Sequence, residues 1–132
     1  MTKSVFKDCR GFTLLEMMIV IVLLGILATL AIPKFNNSIA LANTAKIQSD
    51  LQTLNTAIAM HIIQYGKNPT DLKKDLGNYI DNIDELSPPQ GTCFLKTGEK
   101  LKITAKSYTL DSIGETALCQ EHPLKDFGTG EK

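Results

Sequence analysis

Between Phe12 and Ile32 the chain reads FTLLEMMIVIVLLGILATLAI, 21 residues whose only ionisable side chain is Glu16. As a helix rising about 1.5 Å per residue, this stretch spans about 30 Å, the thickness of a bilayer's hydrocarbon core. Before it lies MTKSVFKDCRG, where Lys3, Lys7 and Arg10 outweigh Asp8, and after it comes Pro33-Lys34. A basic flank on the N-terminal side predicts that this end stays cytoplasmic and the rest of the chain is exported. A cleaved secretory signal fits poorly, because its apolar stretch runs only about 7–15 residues and ends in a small-x-small site. A plain membrane anchor fits the length but leaves Glu16 unexplained. On insertion scales a carboxylate at a helix centre costs about 2.5–3.5 kcal/mol, and less near an end.

Gly11-Phe12-Thr13-Leu14-Leu15-Glu16, set between a short basic leader and a long apolar run, resembles the signal of type IV prepilins. That family includes type IV pilins and the pseudopilins of type II secretion and DNA uptake. The resemblance covers residues 1 to about 35 closely and the helix beyond more loosely. It implies that a membrane prepilin peptidase cuts between Gly11 and Phe12 and methylates the new N-terminus at Phe12. It also implies that Glu16 is the assembly residue, and that Gly25 and Pro33 mark the part of the helix able to lose order in a fibre. Elementary electrostatics agrees with the first two roles. Cleavage frees a Phe12 amine, which is protonated near neutral pH because an α-amino group titrates near 8. Glu16 can meet its own Phe12 amine across an i, i+4 spacing, or that of a neighbouring subunit. A buried pair of the second kind would fix the stagger of adjacent subunits, since stranding one partner costs about 3–5 kcal/mol.

Beyond Pro33, Ile47, Leu51, Leu54, Ile58 and Ile62 recur at spacings of four and three, with Gln48, Asp50, Gln52, Asn55 and Thr56 elsewhere around the wheel. That is one apolar helical face. The helix is expected to run from Phe12 to about Gln64 and stop at Tyr65-Gly66-Lys67-Asn68-Pro69, where Gly66 suits a C-terminal cap. Asn68 stands where the family commonly has tyrosine, a departure that bears on subclass. Thr70 or Asp71 can cap a short helix ending at Gly77, and Pro88-Pro89 marks a change of structure. From Gly91 onward β signals dominate: strands are expected at 92–96, 100–104 and 107–111, with a short one at 116–119. Three or four antiparallel strands can then cover the helical stripe.

The expected architecture is α+β, a pilin-like lollipop with a long N-terminal helix, half membrane-spanning and half amphipathic, packed on a small antiparallel sheet. Its parts are a removable leader (1–11), a membrane and fibre-core helix (12–33), the amphipathic half of that helix (34–65) and an α+β region (66–132). Cys93 and Cys119 fall in the exported part while Cys9 leaves with the leader, so the oxidising compartment predicts a Cys93–Cys119 disulfide. Free structural thiols are the plainer alternative.

The remaining chemistry points away from an enzyme and from any cofactor. Trp is absent, His occurs twice and the formal net charge is zero. Zinc held by Cys93, Cys119 and His122 lacks a fourth ligand. Asp111, Glu115 and Asp126 fall short of the dense run of oxygen donors calcium needs, so no metal is expected. Lys96, Lys100, Lys102 and Lys106 form a basic strip open to DNA, although lysines on an outer strand more often discourage aggregation. His61 and His122 have no serine or cysteine arranged with them as a nucleophile pair.

The function so indicated is a structural subunit, processed, held in the inner membrane by one pass with its N-terminus cytoplasmic, then polymerised outside it. The resemblance supplies its partners: the peptidase, identical or related pilins, and a membrane platform with its assembly ATPase. It permits service in a surface pilus for adhesion or motility, a type II secretion pseudopilus or a DNA-uptake fibre. Glu16 leans towards a subunit stacked along the fibre and away from a tip subunit. The alternative is a membrane-anchored exported binding module that never polymerises.

Overall fold

The structure, a computed structural model, describes residues 11–130. The chain divides into two compact units, the first ending at Phe35 and the second beginning at Asn36.

In the first unit, helix α1 starts at Leu14 after a non-helical Gly11–Thr13 and runs unbroken, to end in the second unit at Tyr65. Every residue from 11 to 39 is exposed in the isolated chain. Its apolar side chains thus have no cover within the molecule, and α1 is long and apolar enough to cross a membrane. A continuous apolar surface of this extent marks contact with lipid or protein. Pro33 lies inside α1 and does not end it. It has no N–H to offer the carbonyl one turn earlier, so the helix loses a rung there without stopping. Just upstream, the Thr29 hydroxyl donates to the Ile26 carbonyl at 2.7 Å.

In the second unit α1 buries Ala40, Thr44, Ile47, Leu51, Leu54, Ala57 and Ile58. Four of the five predicted stripe positions are thus in the core, with Ile62 at its margin. Gly66 closes the helix in the left-handed conformation, φ +67°, and its N–H bonds the Ile62 carbonyl at 2.8 Å. α2 (Leu72–Leu76) is capped by Asp71, whose carboxylate accepts from the Lys73 and Lys74 amides. Five short strands follow: β1 (Gly91–Phe94), β2 (Lys100–Ile103), β3 (Thr109–Leu110), β4 (Ala117–Cys119) and β5 (His122–Pro123). Their inward residues, Cys93, Ile103, Ala117 and Cys119, join Leu76, Tyr108 and Phe127 against the helical stripe.

The strands form two sheets, where one was expected: an antiparallel β1-β2 pair and an antiparallel β3-β4-β5 trio. The reason lies in how the strand edges are satisfied. On β1, Asn43 of α1 donates to the Thr92 carbonyl at 2.9 Å and the Thr44 hydroxyl accepts from the Phe94 amide at 2.8 Å. At the end of β2, the Gln120 side chain stands in for a further strand. Its Nε2 donates to the Lys102 carbonyl at 3.1 Å, and its Oε1 accepts from the Thr104 amide at 2.9 Å. Gln120 and Glu121 form the tight β4-β5 turn at φ 50° and 69°. Such left-handed non-glycine residues cost about 1–3 kcal/mol each and persist only where surroundings hold them. Here the amide that joins the two sheets supplies that hold.

Asp50, expected on the polar side of α1, is buried. Lys46, one turn earlier, donates to it at 2.7 Å, and the buried Tyr108 hydroxyl donates to it at 2.6 Å. A buried carboxylate is tolerable when paired and hydrogen-bonded in this way. Loss of water around the Tyr108 hydroxyl, with the Asp50 carboxylate beside it, raises its pKa far above the ordinary tyrosine value.

The start of α2 makes a pH prediction. The Asp75 carboxylate accepts from the backbone amides of Thr70 at 2.8 Å and Asp71 at 3.1 Å, and these bonds lower its pKa. A depressed folded-state pKa contributes stability that is present above the unfolded value of about 4 and lost as pH falls through the lower folded value. Asp75→Asn should therefore melt below wild type at neutral pH. The two melting curves should converge in acid, which thermal unfolding across a pH series reads directly.

Candidate processing and assembly site

The residues implied in processing lie together at the start of α1. Gly11 and Phe12 are non-helical and exposed, so the bond between them is open to a protease. Thr13 occupies the cap position, its carbonyl accepting the first helical bond from the Met17 amide at 3.2 Å. The Thr13 hydroxyl accepts from the Glu16 amide at 3.2 Å, and Glu16 Oε2 accepts in return from the Thr13 amide at 2.9 Å. This reciprocal arrangement is a capping box, which satisfies two of the donors every helix start leaves open. The Thr-x-x-Glu spacing at 13–16 is the sequence signal of such a box. In the uncleaved chain, then, Glu16 bonds the Thr13 amide, and Phe12 has no free amine to offer it. The carboxylate lies at the positive end of the α1 dipole.

Gly25 and Pro33 lie further along α1. A Cβ at Gly25 meets nothing within 4 Å, so packing inside one subunit does not require glycine there.

Cys93 and Cys119 are free thiols, each fully buried, where a disulfide was expected. Burial raises both pKa values, Cys119 to about 11, with Cys93 and Asp50 adding to the rise at Cys119. Both are therefore protonated at neutral pH. Cys93 also donates weakly to the Leu101 carbonyl at 3.5 Å.

The minor candidates are placed as follows. His122 bonds Asp126 at 3.2 Å and is turned to that partner. Asp111 accepts from the Glu115 and Thr116 amides, which closes a turn. Among the described residues, no three His, Cys, Asp or Glu side chains gather as a metal site. In the basic strip, Lys100 is taken up by Asn37 at 2.8 Å and by the Phe94 ring, which leaves Lys96, Lys102 and Lys106 to face outward.

The long α1, its uncovered apolar first unit and the capped start beside an open Gly11–Phe12 bond define a pilin-type subunit. The prokaryotic N-terminal methylation motif matches residues 6–32. A type IV major fimbrial protein of Dichelobacter nodosus is 31% identical over 126 residues, covering 88% of this chain and 79% of that protein. A second fimbrial protein of that organism is 45% identical over 121 residues, 86% of this chain and 76% of its own length. A type II secretion system core protein G of Klebsiella pneumoniae is 44% identical over 61 residues, 46% of this chain and 44% of that protein. No solved structure matches. The chain belongs to the type IV pilin family, whose matched members are structural subunits of pili and secretion pseudopili.

Proposed function

We propose that this chain is a prepilin, cut between Gly11 and Phe12, methylated at Phe12, held in the cytoplasmic membrane by α1 and then polymerised into an extracytoplasmic fibre. The observation that carries the reading is the exposed Gly11–Phe12 bond one residue before the Thr13–Glu16 capping box. Cleavage places a protonated amine beside a carboxylate already fixed at the helix start. Glu16 then has two possible cationic partners, its own Phe12 amine and that of a neighbour, and in a low-dielectric fibre core the inter-subunit pair sets the register. Gly25 and Pro33 give α1 the local freedom to adjust as it leaves the lipid.

The partners are a prepilin peptidase, copies of this chain or related pilins, and a membrane platform with its ATPase. A surface pilus is the favoured fibre, because two fimbrial relatives align over 88% and 86% of this chain while the Klebsiella pneumoniae secretion relative aligns over 46% of it. Cells producing the chain with its assembly machinery should shed it in the sheared surface fraction. Recovery only from the membrane would refute polymerisation and leave a simple anchor.

Export should also close Cys93 to Cys119, because an oxidising compartment favours that pair over two buried thiols. In the chain-entropy model the closed loop adds about 3 kcal/mol. Alkylation of the mature chain in denaturant should label no cysteine before reduction and two after it. Two labels before reduction would show that the thiols stay free.

A further inference from the structure

His61 is the buried polar side chain of the second unit that the fold leaves without a hydrogen bond. It is 5% exposed, and its Nδ1 is sealed from solvent with no partner. Its ring is held by Tyr65, centroids 4.8 Å apart, and by Tyr79 edge-on at 6.3 Å. A sealed N–H with no acceptor is costlier than a sealed lone pair, so the tautomer that fits carries its N–H on Nε2. The ring lines a polar pocket of about 270 Å³ beside the end of α1, shared with Tyr65, Lys67, Lys74, Asp75 and Asn78.

The charges of this pocket are unequal. Lys67 and Lys74 bring two ammonium groups, and Asp75 brings one carboxylate. Asp75 Oδ2 is already occupied by the Thr70 amide, the Thr70 hydroxyl and the Asp71 amide, so that charge is held by its own loop. Two cations and the Asn78 amide remain as donors around a cavity with room for more than one small ion, and the His61 ring lines the same cavity. Donors in excess over acceptors, with positive charge, suit a compact oxyanion.

We propose that this pocket binds a phosphate group, as free phosphate or as a phosphate monoester on a small organic carrier. Lys67 and Lys74 supply the charge, His61 donates through Nε2, and Tyr65 and Tyr79 keep the imidazole from turning away.

The two histidines make the test direct, because His122 lies on Asp126 outside the pocket and serves as an internal control. The full chain in detergent micelles is titrated near neutral pH, at constant ionic strength, with inorganic phosphate and separately with glycerol phosphate, while imidazole NMR signals are followed. The His61 signals should move to saturation while those of His122 stay. A Lys67→Gln/Lys74→Gln double variant should weaken binding by about tenfold or more. Tighter binding of the ester assigns the carrier-borne group, and equal binding assigns free phosphate. The proposal is overturned if His61 does not move, if both histidines move together, or if the double variant binds as well as wild type.

Discussion

Replacing Glu16 with alanine should leave the chain in the membrane and strip it from fibres. In the assembled state the Phe12 ammonium of a neighbour would lose its carboxylate partner, a cost of about 3–5 kcal/mol, or about 10²- to 5 × 10³-fold in incorporation. Two companion variants separate this from mere loss of the helix cap. Glu16→Gln can still accept from the Thr13 amide, as glutamine does in a capping box, but carries no charge. Thr13→Ala removes the hydroxyl that accepts from Glu16 and keeps the carboxylate. Its cost is about 1 kcal/mol. Competition with wild-type subunits, scored in sheared fibres, should therefore show Glu16→Gln nearly as defective as Glu16→Ala, and Thr13→Ala only mildly so. Equal defects in Thr13→Ala and Glu16→Gln would make Glu16 a helix cap and nothing more.

Asp50→Ala should produce the largest loss of stability in the second unit. It strands the buried Tyr108 hydroxyl, removes the partner of Lys46 and leaves a void beneath Tyr108. Breaking a buried pair costs about 3–5 kcal/mol, and the lower end applies because Lys46 is half exposed and recovers its water. A loss of about 3 kcal/mol lowers the melting temperature of a unit this size by about 15 °C. Tyr108→Phe should cost less, about 1–2 kcal/mol, because Asp50 keeps Lys46. Circular dichroism melts of the full chain in micelles give both values. An Asp50→Ala melt within a few degrees of wild type would show the network to be ornamental.

The parts of the fold legible in sequence were those carried by long-range periodicity. The 21-residue apolar run, the stripe Ile47–Leu51–Leu54–Ile58 and the stop at Gly66 each repeat or punctuate a pattern over several turns, and α1 follows them. The short strands were located to within a few residues for the same reason, through alternation around Leu101 and Ile103. What escaped depends on one side chain doing the work of a backbone. Gln120 satisfies the end of β2, so one expected sheet became two, and no periodicity announces an amide in that role. β5 is only His122-Pro123, and proline argues against a strand unless the strand is an edge. Asp50 looked like a solvent-facing residue because its partner, Tyr108, lies 58 positions away. At the start of α1 the motif was legible as a resemblance, whereas the Thr13–Glu16 box was legible as physics and shows how Glu16 is held within one chain.

The central claim is that the working protein begins at Phe12 and that its new amine is the partner of Glu16. Intact-mass and N-terminal sequence analysis of the chain recovered from membranes and sheared fibres tests it most directly. The account predicts a chain that starts at Phe12 and carries one N-methyl group. A chain from the same fractions that still starts at Met1 would contradict it.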